Sequence, residues 1–387
     1  MSRQPGTPSL LRVMNDRSAL ELLLREGPLT RVELGKRTGL SKVTASQLLA
    51  RLQERELVEA VGTRSTGRGP SAELYALRPG CSYAVGVQMN PDGVRAAVAD
   101  VTGAVAGQVQ RSAEGAGDPR QLIHDTTVAV AAEAGVAVQD VDAVVIGMPG
   151  VVDPATGDIE LSFDLPGWQR GLRALLAADL GCDVTFDNDV NLAAIAERAE
   201  GAARNVDDMV LLWVGRGVGL AVVLSGHLHR GATGAAGEIG YLPMPGAPSP
   251  ADVERPARGA LQSLVGAAAV VELAAEHGIV AADAAAAIKD ASVGAAAGTQ
   301  FLDELAERLA LGVASVCAVV DPALVVLAGE VGSAGGERLA AMVADAVRRI
   351  APVHPQVVPT AVDEAPVLRG AVLRAVEHAR DDLFAAT

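Results

Sequence analysis

Seven side chains near the start of the sequence have the types and spacing that read a double helix. Ser41, Lys42, Thr44, Ala45 and Gln47 fall within two turns of a helix opened by Ser41, and Arg64 and Arg68 sit in the run Gly62-Thr-Arg-Ser-Thr-Gly-Arg-Gly-Pro70. A carboxamide at 47 suits an adenine edge, Thr44 or Ala45 can meet a thymine methyl, and Lys42 can take a phosphate or a guanine. Arginines at a loop tip are free to reach the DNA backbone or an adjacent minor groove. A second cluster, Asp187-Asn-Asp-Val-Asn191, sets two carboxylates and two carboxamides ahead of a helix, where such residues are also ordinary caps. Other chemistry is poorly provided for. Cys81, Cys182 and Cys317 are isolated, which excludes a CxxC site, and the histidines at 124, 227, 229, 277, 354 and 378 form no cluster.

Charge separates the two clusters. The 387 residues carry 47 acids and 32 bases, a net charge of −15. Residues 1–80 hold 13 bases and 8 acids, for +5, and the remainder holds 19 bases and 39 acids, for −20. Phosphate affinity is thereby concentrated at one end. Half of the chain is apolar and 2% aromatic, so its cores are built from Val, Leu and Ala, and disorder is excluded. The apolar run 309–320 stops at Asp321-Pro322, short of the roughly 20 residues that cross a bilayer. Arg17, Glu21, Arg25 and Glu26 interrupt any leader-like start. A soluble cytoplasmic protein is expected.

The elements that position the first cluster follow from capping and period. The spacing predicts a helix over 18–25 stopped by Gly27-Pro28, a second capped by Thr30 with Glu33 closing a capping box, and a third from Ser41 to about 53. Val32 and Leu34 are assigned inward on the second helix. Val43, Leu48, Leu49 and Leu52 are assigned as the buried stripe of the third. Two short helices joined through Gly39 and a polar-faced third are helix-turn-helix spacing, and strands over 57–61 and 74–77 add a wing. From residue 82 the pattern becomes α/β. Strands at 84–87 and 94–99 turn at Asn90-Pro-Asp-Gly93, and later strands run into Gly147-Met-Pro-Gly150, Asp187-Asn-Asp-Val-Asn191 and Gly215-Arg-Gly-Val-Gly219.

In order and spacing these landmarks resemble the ROK family of transcriptional regulators, of the NagC/XylR repressor type. Gly39-Leu-Ser-Lys-Val-Thr44, Leu165-Pro-Gly-Trp168, Gly231-Ala-Thr-Gly-Ala-Ala-Gly-Glu-Ile-Gly240 and Asp321-Pro-Ala-Leu-Val-Val-Leu-Ala-Gly329 complete the set. The resemblance spans nearly the whole chain. It implies a winged helix-turn-helix DNA-binding domain over 1–80, then a two-lobed α/β actin/hexokinase-like ROK domain over 81–387. The smaller lobe would cover about 81–190 plus the C-terminal helix, and the larger about 191–365.

The resemblance also assigns roles. Asp189 stands at the position of the kinase base, Asn188 would bond sugar hydroxyls, and Gly147, Asp164, Glu238, Tyr241 and Gln262 would complete a ligand pocket. The phosphate side departs from kinase members. Their Asp-x-Gly-Gly-Thr is replaced by Gln88-Met-Asn-Pro-Asp92, and Glu330 brings a carboxylate near a position that is glycine in kinases. Their zinc site departs too, since Tyr241 replaces a histidine and 242–265 contains neither Cys nor His. These departures imply no enzyme activity, no cofactor and no metal. The expected partners are double-stranded operator DNA and a sugar or sugar-phosphate effector, with the chain a homodimer or dimer of dimers and no membrane contact. A vestigial pocket serving only as a dimerisation or protein-partner platform is the alternative, and an active sugar kinase a weaker one.

Overall fold

The computed structural model describes residues 8–65, 71–114, 118–162, 171–245, 247, 260–292, 296–362 and 364–385. Two of the sequence-predicted site residues, Arg68 and Asp164, lie outside them.

Three helices open the fold: α1 (Pro8–Glu26), α2 (Arg31–Thr38) and α3 (Lys42–Glu54). Between α1 and α2, β1 (Leu29–Thr30) pairs with a hairpin that follows α3, made of β2 (Val58–Arg64) and β3 (Ala72–Leu77), in the order β1-β3-β2. The predicted capping box forms, with the Thr30 side chain accepting from Glu33 N and the Glu33 carboxylate accepting from Thr30 N. Gly39 ends α2 at φ 73°, a conformation that favours glycine, and Ser41 caps α3 by accepting from Thr44 N.

Burial corrects the sequence reading at three positions. On α3 the inward stripe is Ala45, Leu48, Leu49 and Leu52, an i, i+3, i+4, i+7 set, each at most 2% exposed. Ala45, expected on the DNA face, is therefore inside, and Val43, expected inside, is 67% exposed. The cause is helix phase: Ala45 stands three and four residues before Leu48 and Leu49 and packs toward Gly35 of α2, while Val43 lies about 200° round the helix from it. Val32, expected inward, is exposed, because Leu34 enters the core from about 200° further round the helix.

Among the described residues the body contains two five-stranded sheets with one strand order. In the first lobe, β4 (Tyr83–Asn90), β5 (Gly93–Asp100) and β6 (Val105–Ser112) form an antiparallel meander. There follow α4 (Pro119–Glu133), β7 (Val141–Met148), the short pair β8 (Val151–Val152) and β9 (Ile159–Leu161), α5 (Leu172–Leu180) and β10 (Asp183–Asn188). The sheet order is β10-β7-β4-β5-β6, with β7 parallel to both β4 and β10. α6 (Asp189–Glu200) leads into the second lobe, with β11 (Met209–Val214), β12 (Val218–Leu224) and β13 (His227–Leu228). The helices α7 (Gln262–Val265), α8 (Ala267–Glu276), α9 (Ala284–Ser292) and α10 (Ala296–Val320) precede β14 (Leu324–Ala328), α11 (Gly329–Ile350) and β15 (Gln356–Pro359). Here the order is β13-β12-β11-β14-β15, the same arrangement of meander and parallel strands.

The last helix, α12 (Pro366–Ala385), returns to the first lobe and packs on β4, β7 and α6. Its seat is cut by glycine: a β-carbon on Gly86 would overlap the Val372 backbone, and one on Gly370 the Leu192 carbonyl. The far end of α12 reaches the N-terminal helices. Phe384 is 2% exposed in the cluster that contains Leu20, Leu23, Leu34 and Leu52. Arg17 pairs with Asp381 at 2.9 Å, and Arg380 Nε donates to the Val101 carbonyl at 2.7 Å. The core of the N-terminal region is thus completed by residues from the end of the chain and from the body, across the sequence boundary expected at 80.

Candidate functional site

On α3, Ser41, Lys42, Thr44 and Gln47 are all exposed, on the side opposite the Leu48–Leu52 stripe. Thr44 shares its hydroxyl with Ser41, Oγ to Oγ1 2.8 Å. The hairpin beside this helix is fixed by Arg64, whose guanidinium bonds Glu33 Oε1 at 2.7 Å and the Pro28 carbonyl at 3.4 Å. Arg64 is thus engaged with α2 rather than free at a tip. The Thr30 N–H and hydroxyl, followed by Arg64, hold the Glu33 carboxyl below its ordinary range.

The second site lies where the lobes meet. Asp187 and Asn188 end β10, and Asn188 caps α6, accepting from Val190 N at 2.9 Å and Asn191 N at 3.1 Å. Its Nδ2 donates to the Gly150 carbonyl at 3.0 Å, tying the Gly147-Met-Pro-Gly150 loop to the helix. Most of the bonding capacity expected to meet a sugar is therefore used within the protein. Gly147 is small for packing, not for ligand approach: a β-carbon there would overlap Leu192 and press on Val367, which joins α6 to α12.

Asp189 and Glu238 are the groups left for chemistry. Burial pushes the Asp189 carboxyl up to about 6, although the N–H of Val190 donates to it at 2.8 Å. Burial also raises Glu238 to about 6, and the Asp189 charge adds to that shift, so the two carboxyls lie within electrostatic reach. Glu238 leads into a single 3₁₀ turn, Ile239–Tyr241. Gln262 does not face a ligand with open valences. Its Oε1 accepts from Val218 N at 2.8 Å and its Nε2 donates to the Arg216 carbonyl at 2.9 Å, so it braces the β11–β12 turn.

Sequence reasoning missed Arg230, which bonds buried Asp187 at 2.6 Å and holds the base of the 187–191 cluster. It missed Glu197 as well. That buried carboxylate accepts from the N–H groups of Ala202, Ala361 and Val362 and from the Thr360 hydroxyl, fastening α6 to the segment before α12. Neither pairing has a spacing signal, because each joins distant parts of the chain.

The ROK family pattern matches residues 84–377, and a MarR family pattern matches residues 15–69. The chain belongs to the ROK family. Among its relatives, the xylose repressor of Bacillus subtilis (strain 168) is 23% identical over 238 residues, 60% of this chain and 61% of that protein. The chain thus spans about three-fifths of the curated relatives' length. The crystal structure of a ROK family transcriptional regulator, homolog of E. coli MLC protein, superposes with TM-score 0.75 at 17% identity, over 97% of this chain and 98% of that one. The ROK hexokinase from Thermus thermophilus superposes with TM-score 0.64 at 27% identity, over 77% of this chain and 99% of that one.

The residues at the ROK kinase nucleotide and zinc positions do not fit those groups. At the β4–β5 turn, the Oε1 of Gln88 is buried with no partner among the described residues, and Pro91 offers no N–H. Asp92 instead faces Arg216 of the β11–β12 turn at 3.5 Å, so an ion pair of the protein's own crosses the mouth of the cleft. Beside it a cavity of about 580 Å³ is lined by Trp213, Lys289, Glu330, Ser333 and Pro366. Burial and the Asp283 charge hold the Glu330 carboxyl above its ordinary range, opposed by Arg216. Carboxylates at 92, 283 and 330 repel a polyphosphate. At the zinc position Tyr241 stands in place of histidine and 242–265 contains neither Cys nor His, while Cys81, Cys182 and Cys317 lie elsewhere, their thiols pushed up to about 11 by burial. No described helix is long and apolar enough to cross a membrane.

Proposed function

We propose that the chain is a DNA-binding transcriptional repressor, whose operator affinity is set by a sugar or sugar-derived ligand held between the lobes of a non-catalytic body. The observation that carries this is the outward edge of α3, where Lys42, Thr44 and Gln47 project opposite a fully buried stripe. That edge belongs to the +5 segment over 1–80, joined to a −20 sensing domain over 81–387. Two copies of the chain would set their α3 helices in successive major grooves of a palindromic site, about 34–36 Å apart.

Asp189 and Glu238 serve the ligand as acceptors for its hydroxyls, with Tyr241 beside them. Lobe closure displaces α6, and α12 packs against α6 along its length and against α1 at its end. Ligand and DNA are thereby coupled through one helix, and the coupling works equally in both directions. Fluorescence anisotropy with a selected operator, against a panel of mono- and disaccharides and their phosphates, should reveal one class that changes affinity. Unchanged affinity across the panel sinks the sugar control. Turnover of ATP with the same panel would overturn the non-catalytic reading.

A second reading, a body that acts only as a dimerisation or protein-partner platform, is favoured by Asn188 and Gln262, both spent on backbone bonds. Isothermal titration separates the two. Binding heat in the wild type that disappears in Asp189→Ala supports the sensor, and no heat in either supports the platform.

A further inference from the structure

We infer that Val43 is a base-reading residue that recognises the methyl group of a thymine. This rests on the DNA-reading function proposed above and gives that site a specificity the polar residues alone do not supply. Val43 is an aliphatic, β-branched residue in the first turn of α3, and it is 67% exposed. It therefore contributes little to the core that Ala45, Leu48, Leu49 and Leu52 fill. Its immediate neighbours, Lys42 and Thr44, are exposed as well. An apolar surface left in water amid hydrogen-bonding side chains matches the major-groove edge of thymine, where the methyl group is the apolar feature.

Of the two residues first assigned to that methyl, one is inside and the other is tied to Ser41. Ala45 is 0% exposed, and Thr44 is held by its hydroxyl bond to Ser41. Val43 and Gln47 stand four residues apart on one helix face, with β-carbons about 6 Å from each other. Base pairs rise about 3.4 Å, so the two side chains span about two base steps. The thymine read by Val43 thus falls within two positions of the adenine read by Gln47.

The test uses the full chain. Double-stranded sites are selected from a random pool, and each thymine of the half-site is then replaced by deoxyuridine, which removes the methyl alone. One substitution, within two positions of an adenine whose change is tolerated by Gln47→Ala, should weaken wild-type binding about three- to tenfold. Val43→Ala should bind the thymine site that much less tightly and lose nothing further on deoxyuridine, while its melting temperature stays that of the wild type. The inference is overturned if Val43→Ala retains the full deoxyuridine penalty at every thymine, or if no thymine methyl affects the wild type. A chain that selects no site and binds no DNA fails earlier, at the DNA-reading function, and takes the inference with it.

Discussion

The first hairpins of the two sheets occupy the same place in one strand order, yet they are stiffened in opposite ways. The β4–β5 turn is rigid through its own residues: Asn90 Oδ1 accepts from Asp92 N and Gly93 N, both at 3.0 Å, and Pro91 fixes one φ. The β11–β12 turn, Gly215-Arg-Gly-Val-Gly219, has little stiffness of its own and is held from outside by Gln262. One turn presents Asp92 and the other Arg216, and the two meet across the cleft. A pair of turns that would converge on a phosphate in a kinase here converges on itself. The mouth of the cleft is bridged by side chains of the protein itself.

Substitutions that stress one hairpin and spare the other test this difference. The largest effect belongs to Gly93→Ala. A β-carbon there would overlap the Arg111 carbonyl of β6, whereas one on Gly217 meets nothing within 4 Å. Gly93→Ala should lose about 3 kcal/mol in denaturant unfolding, and Gly217→Ala should stay within about 0.5 kcal/mol. Equal losses would show that the two turns are equally constrained. Next comes Gln262→Ala, which strips the borrowed brace from the second turn and should cost about 2 kcal/mol while leaving the first lobe's amide protection unchanged in hydrogen exchange.

Below that stands the pair behind the hairpins. Asp189 and Glu238 have folded pKa values of about 6, above their ordinary 3.8 and 4.5. The native state therefore holds more protons than the unfolded chain between about pH 4 and 6. That contribution to stability is complete below the ordinary values and is lost as pH rises through about 6. Asp189→Asn should flatten the pH dependence and gain on the order of 1–2 kcal/mol at pH 7, read as melting temperatures at pH 4 and pH 7. A steeper dependence in the variant would contradict the burial assigned to this carboxyl. The smallest effect is Arg216→Gln. Its pair with Asp92 is exposed on both sides, so stability should change by less than about 1 kcal/mol and the difference should fade at high salt.

What was legible in the sequence was local. The Thr30 capping box, the Ser41 cap, the stop at Gly39 and the stripe of Leu48, Leu49 and Leu52 are written in neighbouring residues, and all form as read. The glycine landmarks were legible in order and spacing, and with them the two-lobed fold. Val43 and Ala45 exchanged places because the face of α3 that turns inward is set by its packing against another helix, at Gly35. The pocket residues Asn188 and Gln262 were identified by type, but their bonds run to backbone groups of distant loops, which no spacing reveals. Arg230 and Glu197 escaped for the same reason.

The burial of Phe384 among Leu20, Leu23 and Leu34 has a consequence for the order in which the protein is made. The three N-terminal helices are synthesised first, yet their core lacks Phe384 until α12 has been translated. At about 5–20 residues per second, the 300-odd residues between them take roughly 15–60 s. A nascent chain still on the ribosome has α3 without its full support. Products that stop before α12 share that defect, so their N-terminal helices should be less stable than those of the full sequence.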